Sequence, residues 1–252
     1  MQFPVYINLG LISIHPHLFF ETLAYFLGFR IYLWTRNKNS MSPINSLWIL
    51  IGAILGAAIG SKVLYWLESP SLFRENWNHL QFLMKGKTIV GGLLGGLIGV
   101  ELTKKKIGMT QSTGDDIVFP LIIGMMIGRI GCFLTGLSDH TYGNPTVWFS
   151  GIDFGDGILR HPTQLYEIVF LMFLACALLI LKRSQSNSKQ SQQLKHGMLF
   201  QLFMVSYLLF RFWIDFYKPT PHPYYIFNNI QLACIAGIAY YTYINLKKEK
   251  EG

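Results

Sequence analysis

Charge is what this sequence has least of. Only 13% of its 252 residues are Asp, Glu, Lys or Arg, where a soluble domain usually carries about a quarter. That deficit, beside 51% hydrophobic residues arranged in long runs, excludes an ordinary soluble domain and points to a polytopic membrane protein. Cysteine is scarce as well. Cys132, Cys176 and Cys234 lie inside apolar runs, show no CxxC or zinc-ligand spacing, and cannot all pair with one another. No P-loop, zinc motif or dinucleotide fingerprint is present, so neither cofactor nor metal is expected. The opening MQFPVYINLG lacks a basic n-region and no small-residue cleavage site follows, so the first span is expected to target the chain itself. The formal charge of +8 would hint at nucleic acid in a soluble protein. Here it reads as Lys and Arg gathered in loops on one side of a bilayer, with no nucleic-acid partner.

A bilayer core about 30 Å thick takes about 20 apolar residues in a helix. Seven stretches qualify: 12–34, 47–67, 89–102, 117–137, 165–181, 198–217 and 225–246. The expected fold is therefore all-α, a single transmembrane domain over residues 1–252 with seven helices. The loops set its direction. Arg36, Lys38, Lys104 to Lys106, Lys182, Arg183, Lys189, Lys195, Lys247, Lys248 and Lys250 all fall in alternate segments, twelve basic residues against five in the others. That asymmetry puts the N-terminus outside and the C-terminus in the cytoplasm. The connection at about 138–162, with its GIDFGDG, is too polar and broken to span and reads as an outward-facing loop. The stretch at about 182–197, KRSQSNSKQSQQLKHG, reads as a polar cytoplasmic linker. Gly52, Gly56 and Gly60, then Gly91, Gly95 and Gly99, recur every four residues, which lets two helix backbones approach, clears a groove for a lipid, or does both.

Against this apolar background the charges inside the spans stand out: Glu21, Arg30, Lys62, Arg129, Glu167, Arg211 and Asp215. An arginine at mid-span costs about 3 kcal/mol on insertion scales unless it faces protein or water. Arg30 and Lys62 lie near span ends and can snorkel. Arg129 lies mid-span in MMIGRIGCFLTG. Arg211 precedes Asp215 by four residues, which reads either as a local salt bridge or as one side of a phosphate site. RHPTQLYE, where the outer loop enters the fifth span, gathers His161, Gln164, Tyr166 and Glu167 at the outer interface.

At these places the chain resembles the prolipoprotein diacylglyceryl transferases of bacterial inner membranes. GRIGCFLTG followed by Gly143, then RHPTQLYE, then FRFWIDF followed by KP carry the likeness, with VGGLLGGLIGV as a weaker fourth match. The resemblance implies transfer of a diacylglyceryl group from phosphatidylglycerol to the thiol of a lipobox cysteine in a preprolipoprotein signal peptide, with release of glycerol phosphate. It implies that Arg129 and Arg211 hold the headgroup phosphate. Gly131, Gly136 and Gly143 match signature glycines, and His161, Gln164 and Glu167 match the polar segment before the fifth span. Tyr166 and Asp215 are grouped with the substrate-binding residues. The chemistry is consistent with these residue types: fixed positive charge stabilises charge developing on the leaving oxygens, and a thiol of pKa about 8.5 gains from a nearby base or positive field.

The chain also departs from the family pattern. Val90 stands where the family usually has His, Glu21 where it has Tyr, Cys132 and Thr135 where it has Asn, and Leu137 where it has Glu. Glu21, with His15 and His17 nearby, and His140, beside Asp139, are the candidate local replacements for acid–base work. Two other readings stay open: a related transferase with a different acceptor, and a non-catalytic lipid-binding membrane protein.

Overall fold

The computed structural model describes residues 3–10, 12–36, 42–84, 86–187 and 196–250. The basic residues Lys38, Lys85, Lys189 and Lys195, and positions 188–195 of the polar linker, lie outside the described residues. In chain order the elements are β1 (Ile7–Leu9), β2 (Ile12–Ile14), α1 (Pro16–Thr35), α2 (Pro43–Trp66), α3 (Pro70–Asn76), α4 (Leu80–Met84), α5 (Ile89–Lys106), α6 (Val118–Thr135), β3 (Ile152–Asp153), β4 (Leu159–Arg160), α7 (Thr163–Asn187), α8 (Met198–Ile214) and α9 (Asn229–Lys250). Helix dominates, and each of the apolar stretches is built around one long helix.

Four helical segments among the described residues are long and apolar enough to cross a membrane: Pro43–Trp66, Asp115–Asp139, Thr163–Ser184 and Met198–Tyr217. Their outward side chains are apolar too; Ile54, Ile59, Phe173, Ile180 and Trp213 are all exposed. Lipid is the solvent that makes such a surface stable.

The ends of the elements follow from capping rather than hydropathy. Proline opens α1, α2 and α3 at the first helical position, where its missing N–H costs nothing. Ser42 accepts from the Asn45 amide at 3.3 Å. The stretch that begins at Ile12 is a strand as far as Ile14, paired antiparallel with Ile7–Leu9, and turns helical only at Pro16. α6 stops at Gly136, whose φ of 71° is open to glycine. α7 runs on to Asn187, into the first part of the stretch read as a linker. At α9 the Asn228 carboxamide oxygen accepts from the Gln231 amide (2.8 Å), while Gln231 Oε1 accepts from the Asn228 amide (3.0 Å), a reciprocal cap.

The chain forms two compact units. The first comprises Met1–Asn37, Ser112–Ser206 and Phe216–Pro219. In it α6 packs on α1 and α7. A methyl on Gly131 would come within 2.6 Å of Phe20 Cβ, so the glycine is what lets α1 approach α6. Asp115 accepts from the amides of Gly197 (2.7 Å) and Phe200 (3.0 Å) and so caps the start of α8. The second unit comprises Lys38–Gln111, Tyr207–Asp215 and Thr220–Gly252. Its centre is the α2–α5 pair, where the glycines serve helix packing. A side chain on Gly56 would overlap the Gly95 carbonyl, and one on Gly95 the Gly56 carbonyl. Val90 is fully buried here.

Candidate functional site

In the first unit α6 delivers Arg129 and α7 delivers Glu167, and the two meet as a buried ion pair. Arg129 Nε lies 2.8 Å from Glu167 Oε2, with the side chains 7% and 1% exposed. Nη1 of the same arginine lies 3.9 Å from Cys132 Sγ.

Cys132 leads to a second cluster, at the end of α6 against the start of α1. His17 Nδ1 is 2.8 Å from Asp139 Oδ1, and His17 Nε2 is 3.4 Å from Glu21 Oε2. Asp139 Oδ2 accepts from Thr141 Oγ1 at 2.7 Å, and Thr141 Oγ1 in turn accepts from Gln164 Nε2 at 3.0 Å. Gln164 is buried, and its Oε1 has no hydrogen-bond partner among the described residues. This cluster opens into a pocket of about 390 Å³ lined by His15, His17, Leu18, Glu21, Thr135, Ser138 and Asp139. Glu21 also accepts from the Tyr25 hydroxyl at 3.1 Å. His140, by contrast, is exposed and takes a left-handed φ of 54°. The imidazole paired with Asp139 is that of His17.

His161 is buried one element away. Its Nδ1 is 3.1 Å from the Tyr166 hydroxyl, which is 2.7 Å from Ser150 Oγ, and its ring packs edgewise on Trp148 and Tyr217. Gly143 fixes this position: its amide donates to the His161 carbonyl at 2.8 Å, and a methyl there would lie 2.6 Å from His161 Cβ. Gly136 packs as closely on Phe3. Gly131, Gly136 and Gly143 thus each have a packing reason of their own. In the loop between α6 and α7, Asp153 Oδ1 accepts from the amides of Gly155, Asp156 and Gly157 at 2.8–3.1 Å. Arg160 donates to Asp156 at 2.6 Å, which holds the Asp156 carboxyl below the usual range and the guanidinium above it.

In the second unit, Arg211 Nη2 lies 2.8 Å from Asp215 Oδ1, the i,i+4 pair that the spacing allows. Asn228 donates to the other Asp215 oxygen, and both Asp215 and Asn228 are buried. Asp215 is therefore compensated from both sides.

The sequence picks out Arg129, Glu167, Gln164 and His161, and the structure gathers all four in one unit. The partnership of His17 with Asp139 and Cys132 is not readable from spacing, because it exists only through the α1–α6 contact.

Residues 4–245 match the family described as prolipoprotein diacylglyceryl transferase. A phosphatidylglycerol–prolipoprotein diacylglyceryl transferase of Francisella tularensis subsp. novicida is 32% identical over 241 residues, covering 90% of this chain and 84% of the relative. Proteins of the same name from Clostridium tetani (33% over 178 residues, 68% of this chain and 67% of the relative) and from Wolbachia sp. subsp. Brugia malayi (30% over 235 residues, 85% and 81%) are similar to it as well.

Proposed function

The chain belongs to the prolipoprotein diacylglyceryl transferase family, and from that premise we propose that it moves the diacylglyceryl group of phosphatidylglycerol onto the thiol of a lipobox cysteine. The thiolate attacks the glycerol carbon that carries the phosphate, the carbon–oxygen bond breaks, and glycerol phosphate leaves with the electron pair. The product is a thioether.

The observation that carries this reading is Arg129, a buried guanidinium on an apolar helix held in place by Glu167. Glu167 holds the guanidinium from one side, and the planar fork of an arginine is the group that matches a phosphate by bidentate hydrogen bonding. Inside a bilayer the abundant phosphates belong to lipids. Positive charge held next to the leaving oxygens stabilises the charge that builds there as the bond breaks. Arg211 keeps the headgroup role that the resemblance assigns to it, with Asp215 as its anchor. Gln164 presents a buried acceptor for a headgroup hydroxyl, and Tyr166 holds the His161 ring. Glu21 and His17 line the pocket from α1 and are the groups we assign to an incoming thiol there. His140 is exposed and next to Asp139 in the chain, outside the lining of the pocket.

The apolar helices are read as seven spans of the bacterial inner membrane, with the N-terminus and the loop at 138–162 outside and the C-terminus in the cytoplasm. Phosphatidylglycerol then enters from the bilayer, and the preprolipoprotein presents its cysteine from the outer side.

Mass spectrometry of a lipobox peptide incubated with the purified protein and phosphatidylglycerol tests the activity. A diacylglyceryl mass added to the peptide cysteine, and absent with Arg129→Ala, is the expected result. Release of glycerol phosphate with an unmodified peptide would mean a different acceptor. Lipid binding without any turnover would make this a lipid-binding protein.

A further inference from the structure

We propose that His17, Cys132 and Asp139 hold a zinc ion at the pocket, with the fourth coordination position left for the incoming cysteine thiol. The binding site stands on geometry alone; the role of the thiol rests on the transferase reading above.

The donor set comes first. One imidazole nitrogen, one thiol sulfur and one carboxylate oxygen lie within 4.8 Å of one another, on side chains that are all half-buried. A tetrahedral zinc ion with bonds of about 2.0–2.3 Å needs donors about 3.3–3.6 Å apart, so small side-chain rotations close the shell. Sulfur and imidazole together select zinc over magnesium or calcium, which want oxygen. Three protein ligands with one position open is the arrangement of zinc sites that do chemistry, whereas structural sites close all four.

The surroundings of the three donors point the same way. A ligating histidine is normally oriented by a carboxylate on its other nitrogen. With His17 Nδ1 turned toward Asp139, its Nε2 lies 3.4 Å from Glu21 Oε2. A ligating carboxylate is normally hydrogen-bonded through its second oxygen. Asp139 Oδ2 accepts from Thr141 at 2.7 Å, and Thr141 is held by Gln164. The sulfur is also held by a contact of its own, with Arg129 Nη1 at 3.9 Å. A plain His17–Asp139 ion pair would require neither the cysteine nor this outer ring of partners. The pocket of about 390 Å³, lined in part by His17 and Asp139, is the way in.

A thiol that coordinates zinc loses its proton outright. The lipobox cysteine takes the open position as thiolate, and its proton leaves to water. The sulfur lone pair forms the bond to the glycerol carbon, the carbon–oxygen bond to phosphate breaks, and glycerol phosphate carries that electron pair away. The neutral thioether is a weaker ligand than the thiolate and leaves the ion. In this chain the site takes over thiol activation from the family positions occupied here by Val90, Cys132 and Glu21.

The full-length protein in detergent is stripped with a chelator, dialysed against zinc alone and assayed for metal by mass spectrometry. In parallel, cobalt replaces zinc, so that sulfur ligation shows as a thiolate-to-metal absorption band. The expected result is one ion per chain and a cobalt–sulfur band that strengthens when lipobox peptide is added. Cys132→Ser abolishes the protein's own band, Asp139→Asn weakens binding at least 10-fold, and Glu21→Gln weakens it by about 10–100-fold. Failure of the wild-type protein to retain zinc overturns the site without reference to any variant, as does a cobalt band that survives Cys132→Ser. Lipidation assays separate the two readings. Peptide lipidated at an undiminished rate by stripped enzyme overturns the role of zinc and leaves the transferase standing. Zinc bound and peptide coordinated, but no lipid transferred, sinks the transferase and leaves the metal site.

Discussion

Arg129 and Glu167 form an ion pair in which both side chains are almost fully buried. Breaking a buried pair from one side costs about 3–5 kcal/mol. Glu167→Gln is therefore expected to lower stability by about that amount in thermal or denaturant unfolding in detergent. Phosphatidylglycerol should restore more of that loss in Glu167→Gln than in the wild type, because a lipid phosphate can replace the missing carboxylate. Arg129→Lys keeps the charge and loses the planar fork. A lipidation rate about 100-fold or more below wild type, with the protein still folded, is the outcome that assigns the fork to phosphate recognition; an unchanged rate would remove Arg129 from the site. Arg129 and Glu167 were legible in the sequence because a charge in an apolar run is costly and rarely idle. Their partnership was not, since α6 and α7 are joined by a loop whose path no local pattern specifies. His17 and Asp139 were visible only as separate polar residues, and Asp139 rather than its neighbour His140 turned out to face the pocket.

At the scale of elements, the four-residue glycine spacing of α2 and α5 is compatible with packing and with a lipid groove, and the close approach of the two backbones shows the packing. Gly56→Val drives a branched side chain into the Gly95 carbonyl. Overpacking of this kind costs about 1–3 kcal/mol, so unfolding of Gly56→Val should come earlier, whereas Gly92→Ala, whose added carbon would have nothing nearer than 3.8 Å, should match wild type. The loop hairpin makes a different prediction. The Asp156 carboxyl is held low by Arg160, below its value in an unfolded chain. Its contribution is therefore present in full above about pH 4 and is lost as pH falls through the lowered folded value. Amide exchange at residues 155–158 should be constant from pH 5 upward, after correction for intrinsic rates, and should speed up below that range. Asp156→Asn should show no such step. The hairpin itself was not foreseen: a stretch read as a broken outer loop carries β3 and β4, because Asp153 gathers three amides and closes the turn. Helix ends depart from the hydropathy pattern for a related reason. Hydropathy runs on through Ile12–Ile14, and only Pro16 decides where helix begins.

For the whole molecule, composition alone was enough to identify long apolar helices, because a chain with so few charges cannot coat itself for water. Direction is a finer matter, resting on twelve basic residues against five and on the premise that Lys and Arg stay in the cytoplasm. Two exposed positions test it without disturbing the core. Val147 lies almost fully exposed in the loop between α6 and α7, and Lys105 is exposed at the end of α5. With the native cysteines replaced by serine or alanine, Val147→Cys is expected to react with a membrane-impermeant maleimide in intact spheroplasts, and Lys105→Cys only after the membrane is permeabilised. The reverse pattern would invert the protein. It would then face the loop between α6 and α7 toward the cytoplasm, away from the outer side on which we propose that the lipobox cysteine is presented. Labelling of both sites in intact spheroplasts would instead remove a span between them. Position 105 lies at the end of α5 and position 147 follows α6, so that result would mean that α6, with Arg129 on it, does not cross the bilayer at all.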